Sequence, residues 1–233
     1  MANKRVQVFS PSAMHSSLEA LAAAHRERGG DEVALAFETA PAFVKRLETG
    51  QQADVLIATP SLMKDLFVLG KVHGDSRLEL GRVGVGVVVR KGAPRPDIST
   101  TRALTAALHD ADSIVYNRAS SGMYVETLIA KLGLAEALAP KTVRYHDAQE
   151  SFTHLQQDHG REIGFGGLTE IARWRDRGLV LVGPLPPDIQ NFTLYIAALA
   201  TAATNEAGGR AFLDFLGTAE ARAILSDRGV IVP

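Results

Sequence analysis

Three short apolar runs in this sequence end in small hydroxyl residues where a helical pattern begins. VQVF leads into Ser10-Pro11-Ser12-Ala13-Met14. VALAFE leads into Thr39-Ala40-Pro41. SIVY, through Asn117-Arg118-Ala119, leads into Ser120-Ser121-Gly122-Met123-Tyr124. Each reads as a strand feeding a helix, with a hydroxyl at the capping position. The first turn of a helix carries unpaired N–H groups and partial positive charge, so it attracts anions. Several such starts aimed at one cleft hold an oxyanion without a dedicated cation. Taken singly, Ser10, Ser12, Thr39 and Ser121 are equally well plain caps. As a set, at strand-to-helix turns on matching edges, they read as a binding site, because ligands of open α/β sheets sit beyond the carboxyl ends of strands.

The other residue types point away from catalysis. No convincing nucleophile and base are paired, and no Gly-x-Ser-x-Gly, Walker loop or kinase signature occurs. No catalytic residue and no cofactor are expected. The absence of cysteine excludes disulfides and thiolate metal sites. The seven histidines show no metal spacing; His154 and His159, five apart, fall off a common helical face, and most histidines read as surface residues. No metal site is expected, other than a metal carried as an oxyanion. Gly164-Phe165-Gly166-Gly167 lacks the full nucleotide-loop pattern and reads as a tight turn. Gly84-Val85-Gly86 lies inside a strand pattern and reads as a crossing or a close backbone approach. Trp174 and Tyr124 read as packing residues, and Asp110 and Asp112 as a solvated turn.

A formal net charge of −1 over 233 residues, with scattered lysine and arginine, offers no footprint for nucleic acid or an acidic membrane. Hydrophobic residues at 46% and charged residues at 22% fit a globular chain long enough for one large domain or two lobes. The longest apolar stretch, Ile196–Ala203, is too short for a membrane helix. Met1-Ala2-Asn3-Lys4-Arg5 runs directly into the first strand without a secretory signal. The expectation is therefore periplasmic if a signal has been removed and cytoplasmic if Met1 is the native start.

The elements that must position these residues alternate. Val6–Phe9, Val33–Phe37 and Asp54–Ala58 read as strands, followed by helices over Pro11–Arg28, Pro41–Thr49 and from Pro60 to about Gly70. Leu78–Leu80 and Val83–Arg90 follow as strands. The second half repeats the grammar. Helices are predicted at Ser99–His109, Gly122–Leu132, Ala148–His159 and Leu168–Arg177. Strands are predicted at Ser113–Tyr116, Lys141–Tyr145, Glu162–Phe165 and Leu179–Val182. Phe192–Ala200 is a further long strand-like run, and helices Gly209–Leu216 and Ala219–Ser226 finish the chain. Short loops and this order imply parallel sheets covered by helices. Two similar α/β halves joined by two long strands suggest two lobes: 1–82 with 194–233, and 83–193.

The ordered motifs Ser10-Pro11-Ser12-Ala13-Met14, Gly50-Gln51-Gln52-Ala53-Asp54-Val55-Leu56-Ile57-Ala58, Ser121-Gly122-Met123-Tyr124, Glu162-Ile163-Gly164-Phe165 and Ala211-Phe212-Leu213-Asp214-Phe215-Leu216 with Ala219-Glu220-Ala221 resemble the molybdate-type solute-binding proteins of ABC transporters. The resemblance covers nearly the whole chain. It implies the type II periplasmic-binding fold, in which two α/β lobes joined by two strands close over a ligand. It further implies that hydroxyls and backbone N–H groups hold the anion. By position these fall on Ser10, Ser12, Ala13, Thr39 and Ala40 in the first lobe, and on Ser120, Ser121 and Gly122 in the second. The hinge-side contact falls around Asn191 to Tyr195.

The chain departs from the family in three places, one of them the segment Leu185–Thr193, which resembles a divergent branch suited to organic acids. Thr39-Ala40-Pro41 stands where the family carries a serine pair, and Arg118 adds a cation that suits a carboxylate, which a guanidinium grips bidentately. As a plain surface residue Arg118 would instead be a salt-bridge partner. The resemblance therefore implies a monomeric binding protein for a molybdate- or tungstate-like oxyanion, delivering it to an ABC permease. The alternative is a binding protein or cytoplasmic sensor for a small organic acid using the same clamp. An enzyme on a two-lobed scaffold is the remaining rival.

Overall fold

The computed structural model describes residues 5–157 and 160–233; the side chains of Ala40 and Pro41 lie outside the description. The expected run of Met1 to Lys4 into the first strand, and His159 at the end of a helix, also fall outside it.

In chain order the elements are β1 (Val6–Pro11), a 3-10 turn (Ser12–Met14), α1 (His15–Glu27), β2 (Val33–Glu38), α2 (Ala40–Glu48), β3 (Val55–Ala58), α3 (Pro60–Val68) and β4 (Leu78–Arg90). Then come α4 (Thr101–Asp110), β5 (Ser113–Asn117), α5 (Ser120–Lys131), α6 (Ala135–Leu138), β6 (Thr142–Tyr145), α7 (Ala148–Leu155), β7 (Glu162–Gly167) and α8 (Leu168–Trp174). β8 (Leu179–Pro184), β9 (Phe192–Leu199), α9 (Glu206–Leu216) and α10 (Ala219–Asp227) complete the chain. The chain divides into two compact units, Met1–Val83 with Leu194–Pro233, and Gly84–Thr193. The boundaries fall inside β4 and β9.

In the first unit β1 lies between β2 and β3 and runs parallel to both, and β9 pairs antiparallel with β3. The side chains alternate between two apolar layers. Val6, Val8, Val55, Ile57, Ala197 and Leu199 face one layer, with Met14, Leu18, Leu21 and Phe212. Phe9, Leu56, Ala58, Ile196 and Ala198 face the other, with Phe43, Met63 and Leu66. A sheet buried on both faces reads as near-continuous apolar runs, which is how these strands appear in the sequence.

Asp54 fixes the register here. Its carboxylate accepts from the Gln7 N–H (2.7 Å) and from the Asn205 N–H (2.7 Å). It thereby ties β1 to the start of α9, where the Asn205 side chain caps Gly208 (3.2 Å). The Ala53-Asp54 pair of the sequence motif thus serves the scaffold.

In the second unit β5, β6 and β7 are parallel, and β4 pairs antiparallel with β7 on one side and β8 on the other. Ile114, Tyr116, Val87 and Phe165 pack under α4 and α5, while Val88 and Val115 pack under α7 and α8.

Several sequence expectations are corrected. The chain stays extended through Pro11 and turns as a 3-10 segment before α1, so no helix starts at Pro11. The segments expected as Leu78–Leu80 and Val83–Arg90 form one strand. Gly81 adopts φ +142° where an added Cβ would meet the Ile231 carbonyl oxygen at 2.6 Å. The Arg82–Ile231 bridge (N–O 2.7 and 2.8 Å) keeps the chain extended there. Gly166 and Gly167 belong to β7 rather than to a turn; a Cβ on Gly166 would strike Phe152 at 2.5 Å. α6 was not foreseen, because four residues give no helical period to read. The α7 pattern ends at Leu155 rather than at residue 159.

Candidate functional site

Parallel strands place their carboxyl ends at one edge of a sheet, so each unit gathers its strand-to-helix turns together. At this edge of the first unit, Ser10 is buried and its hydroxyl donates to the Pro11 carbonyl (3.2 Å). Ser12 and Ala13 are half-buried in the 3-10 turn, which has no side-chain cap. His15, opening α1, stacks on Phe37 near the end of β2 with ring centroids 3.9 Å apart and planes at 9°. This contact joins the α1 start to the segment that carries Thr39. The neighbouring carboxylate, Glu38, is paired with Arg46, whose guanidinium lies over Phe9.

Thr39 occupies the capping position of α2 with extended backbone (φ −72°, ψ 156°) yet makes no cap bond; its Oγ1 is buried with no hydrogen-bond partner among the described residues. Four other helices have side-chain caps. Thr100, Asp147, Asn205 and Thr218 each accept from an N–H in the first turn of their helices. Thr59 at α3 also leaves its helix uncapped, but its hydroxyl is not among the buried unpartnered atoms. Thr39 thus holds a dry hydroxyl beside a helix start, a costly arrangement unless a further group completes it. The plain-cap expectation fails for Ser10, Ser12, Thr39 and Ser121.

At the corresponding edge of the second unit, Arg118 is exposed and has no ion-pair partner among the described residues, so the salt-bridge expectation does not hold for it. Ser120 is half-buried, and Ser121 and Gly122 are buried in the first turn of α5, whose N-cap, Ala119, has no side chain to cap with. The first N–H groups of a helix have no partners within it. Gly122 is required here: an added Cβ would lie 1.7 Å from the Asn117 carbonyl oxygen.

Sequence reasoning passed over Asn117 itself. It is 0% exposed; its Oδ1 accepts from the Ala119 N–H (2.8 Å), and its Nδ2 has no partner among the described residues. The available signal was an Asn closing an apolar strand two residues before a helix.

The hinge-side candidates separate. Asn191 uses its backbone N–H on Gln190 Oε1 (2.9 Å), and its carbonyl accepts from Val85 (3.3 Å). Tyr195 is 1% exposed within the apolar layer of the first unit.

Two buried carboxyls in the second unit were also not foreseen. Glu170, in the first turn of α8, accepts from the Gly167 N–H (3.3 Å). Burial pushes its carboxyl from the ordinary 4.5 up to about 7; Asp147 adds to the rise, while the Gly167 N–H and Arg173 oppose it. The folded state therefore holds a proton that the unfolded chain releases, and stability falls as pH rises from about 4.5 to 7. Glu170→Gln is expected to stabilise the protein by up to about 3 kcal/mol above pH 7 and by nothing near pH 4, measured by urea unfolding at both pH values.

The second carboxyl, Glu162, accepts from the Ser113 hydroxyl (2.5 Å) and bonds His154 Nε2 (2.8 Å), whose Nδ1 bonds the Tyr145 hydroxyl (2.9 Å). His154 is thus part of a half-buried polar chain, against the expectation of a surface residue. Trp174 packs edge-on against Phe152, and the Tyr124 hydroxyl donates to the Ile189 carbonyl (2.7 Å). Asp112 accepts from the Arg161 N–H (2.8 Å) instead of lying in a merely solvated turn. Among the described residues no group of histidines and carboxylates could hold a metal ion, and no helix is long and apolar enough to cross a membrane. A groove of about 340 Å³ lined by Pro94, Ala103, Ala107 and Ile163 lies at the amino end of β7, away from the edge just described.

Comparison with known proteins accords with this architecture. The model of the bacterial extracellular solute-binding protein family matches residues 6–230. An aconitate isomerase from Pseudomonas sp is 28% identical over 229 residues, covering 96% of this chain and 86% of the relative. The periplasmic molybdate-binding protein of Azotobacter vinelandii superposes with TM-score 0.80 at 16% identity, over 98% of this chain and 99% of that one. The sulfate-binding protein of Mycobacterium tuberculosis H37Rv superposes with TM-score 0.76 at 17% identity, over 97% and 86%. The likeness to these structures establishes the type II periplasmic-binding fold. With nearly every residue from β1 to the C-terminal segment inside the family match, the chain belongs to the bacterial extracellular solute-binding proteins.

Proposed function

We propose that this protein captures a small anion outside the cytoplasmic membrane and delivers it to an ABC permease. The observation that carries the reading is Thr39: a buried hydroxyl that neither caps its helix nor finds another partner among the described residues. A bound anion would complete it. In the first unit, Ser10, Ser12 and the backbone N–H groups at Ala13 and Ala40 are the further candidate donors; in the second unit, they are those of the α5 start at Ser120, Ser121 and Gly122. Asn191 and Tyr195 stay in the proposal as hinge-side contacts. Charge-assisted hydrogen bonds contribute roughly 1.5–3 kcal/mol each, so five or six of them, less ordering costs, support micromolar binding or tighter.

Both a molybdate-like oxyanion and a small carboxylate fit donors of this kind. The exposed, unpaired Arg118 favours the carboxylate, since a guanidinium matches its two oxygens. The relative named aconitate isomerase favours it too and motivates a second reading, in which the chain also isomerises an unsaturated carboxylate.

A thermal-shift and calorimetry panel of molybdate, sulfate, citrate and trans-aconitate tests the first reading. At about one hundred times Kd the true ligand adds roughly 2.7 kcal/mol, and raises Tm by about 5–10 °C in a chain of this size. No response to any member of the panel rejects anion capture. Proton NMR of trans-aconitate incubated with the protein tests the second reading; an unchanged spectrum rejects turnover.

A further inference from the structure

We propose that Asn117 is a ligand-binding and specificity-determining residue, whose side-chain Nδ2 donates a hydrogen bond to an anionic oxygen of the captured solute. The inference rests on the anion-capture reading above and assigns a residue to it that neither the motifs nor the family resemblance supplied.

Three observations converge. Asn117 is 0% exposed, and its Nδ2 has no partner among the described residues, although buried donors are nearly always satisfied. The orientation of the amide is fixed, because Oδ1 accepts from the Ala119 N–H at 2.8 Å. Exchanging the two atoms would set an NH₂ group against an N–H. Asn117 also closes β5 in register with Tyr145 of β6, at the carboxyl edge, and its carbonyl is the surface against which Gly122 of α5 packs. The orphan donor therefore stands beside the unpaired N–H groups of α5 and next to Arg118 in sequence. Asp147 and Glu170 lie at the starts of α7 and α8 on the same edge.

A purely structural role makes a different prediction. The Oδ1 bond to Ala119 closes a turn that aspartate closes equally well. Asn117→Asp keeps this acceptor and replaces only the donor. Asn117→Ser keeps a hydroxyl acceptor for Ala119 and adds no charge. Calorimetric titration with molybdate, sulfate, citrate and trans-aconitate, each alone, is run on wild type and both variants, with the Tm of each unliganded protein. The expected result is at least a tenfold loss of affinity in both variants for whichever probe the wild type binds, with Asn117→Ser keeping its Tm within about 3 °C. The probe that binds identifies the anion as an oxyanion or a carboxylate. Affinity within threefold of wild type in Asn117→Ser overturns the assignment and leaves anion capture standing. A wild type that binds none of the four overturns both.

Discussion

Gly122→Ala is expected to destabilise the protein by about 3 kcal/mol or more and to abolish anion binding. The new Cβ would sit 1.7 Å from the Asn117 carbonyl oxygen, 2.6 Å from its carbon and 2.9 Å from Oδ1. Two of these atoms are backbone at the end of β5, a strand paired on both sides by β6 and β7, so they do not yield. The first turn of α5 must move instead, and overpacking of this kind costs on the order of 1–3 kcal/mol even where side chains can give way. For a chain of this length the loss corresponds to a fall in Tm of roughly 6–12 °C, read by scanning calorimetry. Moving the α5 start withdraws its N–H groups from the proposed site as well. A variant within 1 kcal/mol of wild type would show that β5 and α5 are not held together as tightly as the geometry requires.

Thr39→Val is expected to do the reverse to stability while also weakening binding. Valine has nearly the shape of threonine and lacks the hydroxyl. That hydroxyl is buried and has no hydrogen-bond partner among the described residues, so its removal relieves an unsatisfied polar group. Tm should stay level or rise by a few degrees. If the hydroxyl donates to the anion, the same change removes a charge-assisted bond worth roughly 1.5–3 kcal/mol, a loss of about 10–150-fold in affinity. Opposite signs in the two measurements separate a ligand contact from a structural one. A valine variant that binds as well as wild type removes Thr39 from the site, and with it the principal support for anion capture.

The scaffold was largely legible in the sequence because burial on both faces writes continuous apolar strands. Val6, Val8, Val55 and Ile57 on one side, with Phe9, Leu56 and Ala58 on the other, leave little doubt about β1 and β3. Elements failed where tertiary contacts override local signals. Leu78–Leu80 and Val83–Arg90 read as separate strands, yet the Arg82–Ile231 bridge holds the chain extended between them; the glycines at 164 and 166 suggested a turn, yet they make room for Leu155 and Phe152 against β7.

The candidate site was legible only as residue types. Ser10, Ser12, Thr39 and Ser121 look like caps in any sequence. That Thr39 does not cap, and that Asn117 keeps a free donor, are facts of three-dimensional hydrogen-bond accounting with no sequence signature. Glu170 is similar, since a glutamate in the first helical turn gives no sign of its burial.

The way the units are cut from the chain has a consequence for synthesis. The second unit is one uninterrupted segment, Gly84–Thr193, whereas the first joins Met1–Val83 to Leu194–Pro233. On the ribosome the second unit can finish while β3 still waits for β9, its antiparallel neighbour. Until those last forty residues emerge, the apolar edge of Val55–Ala58 remains open to mispairing in the nascent polypeptide, which is where chaperone protection would matter most.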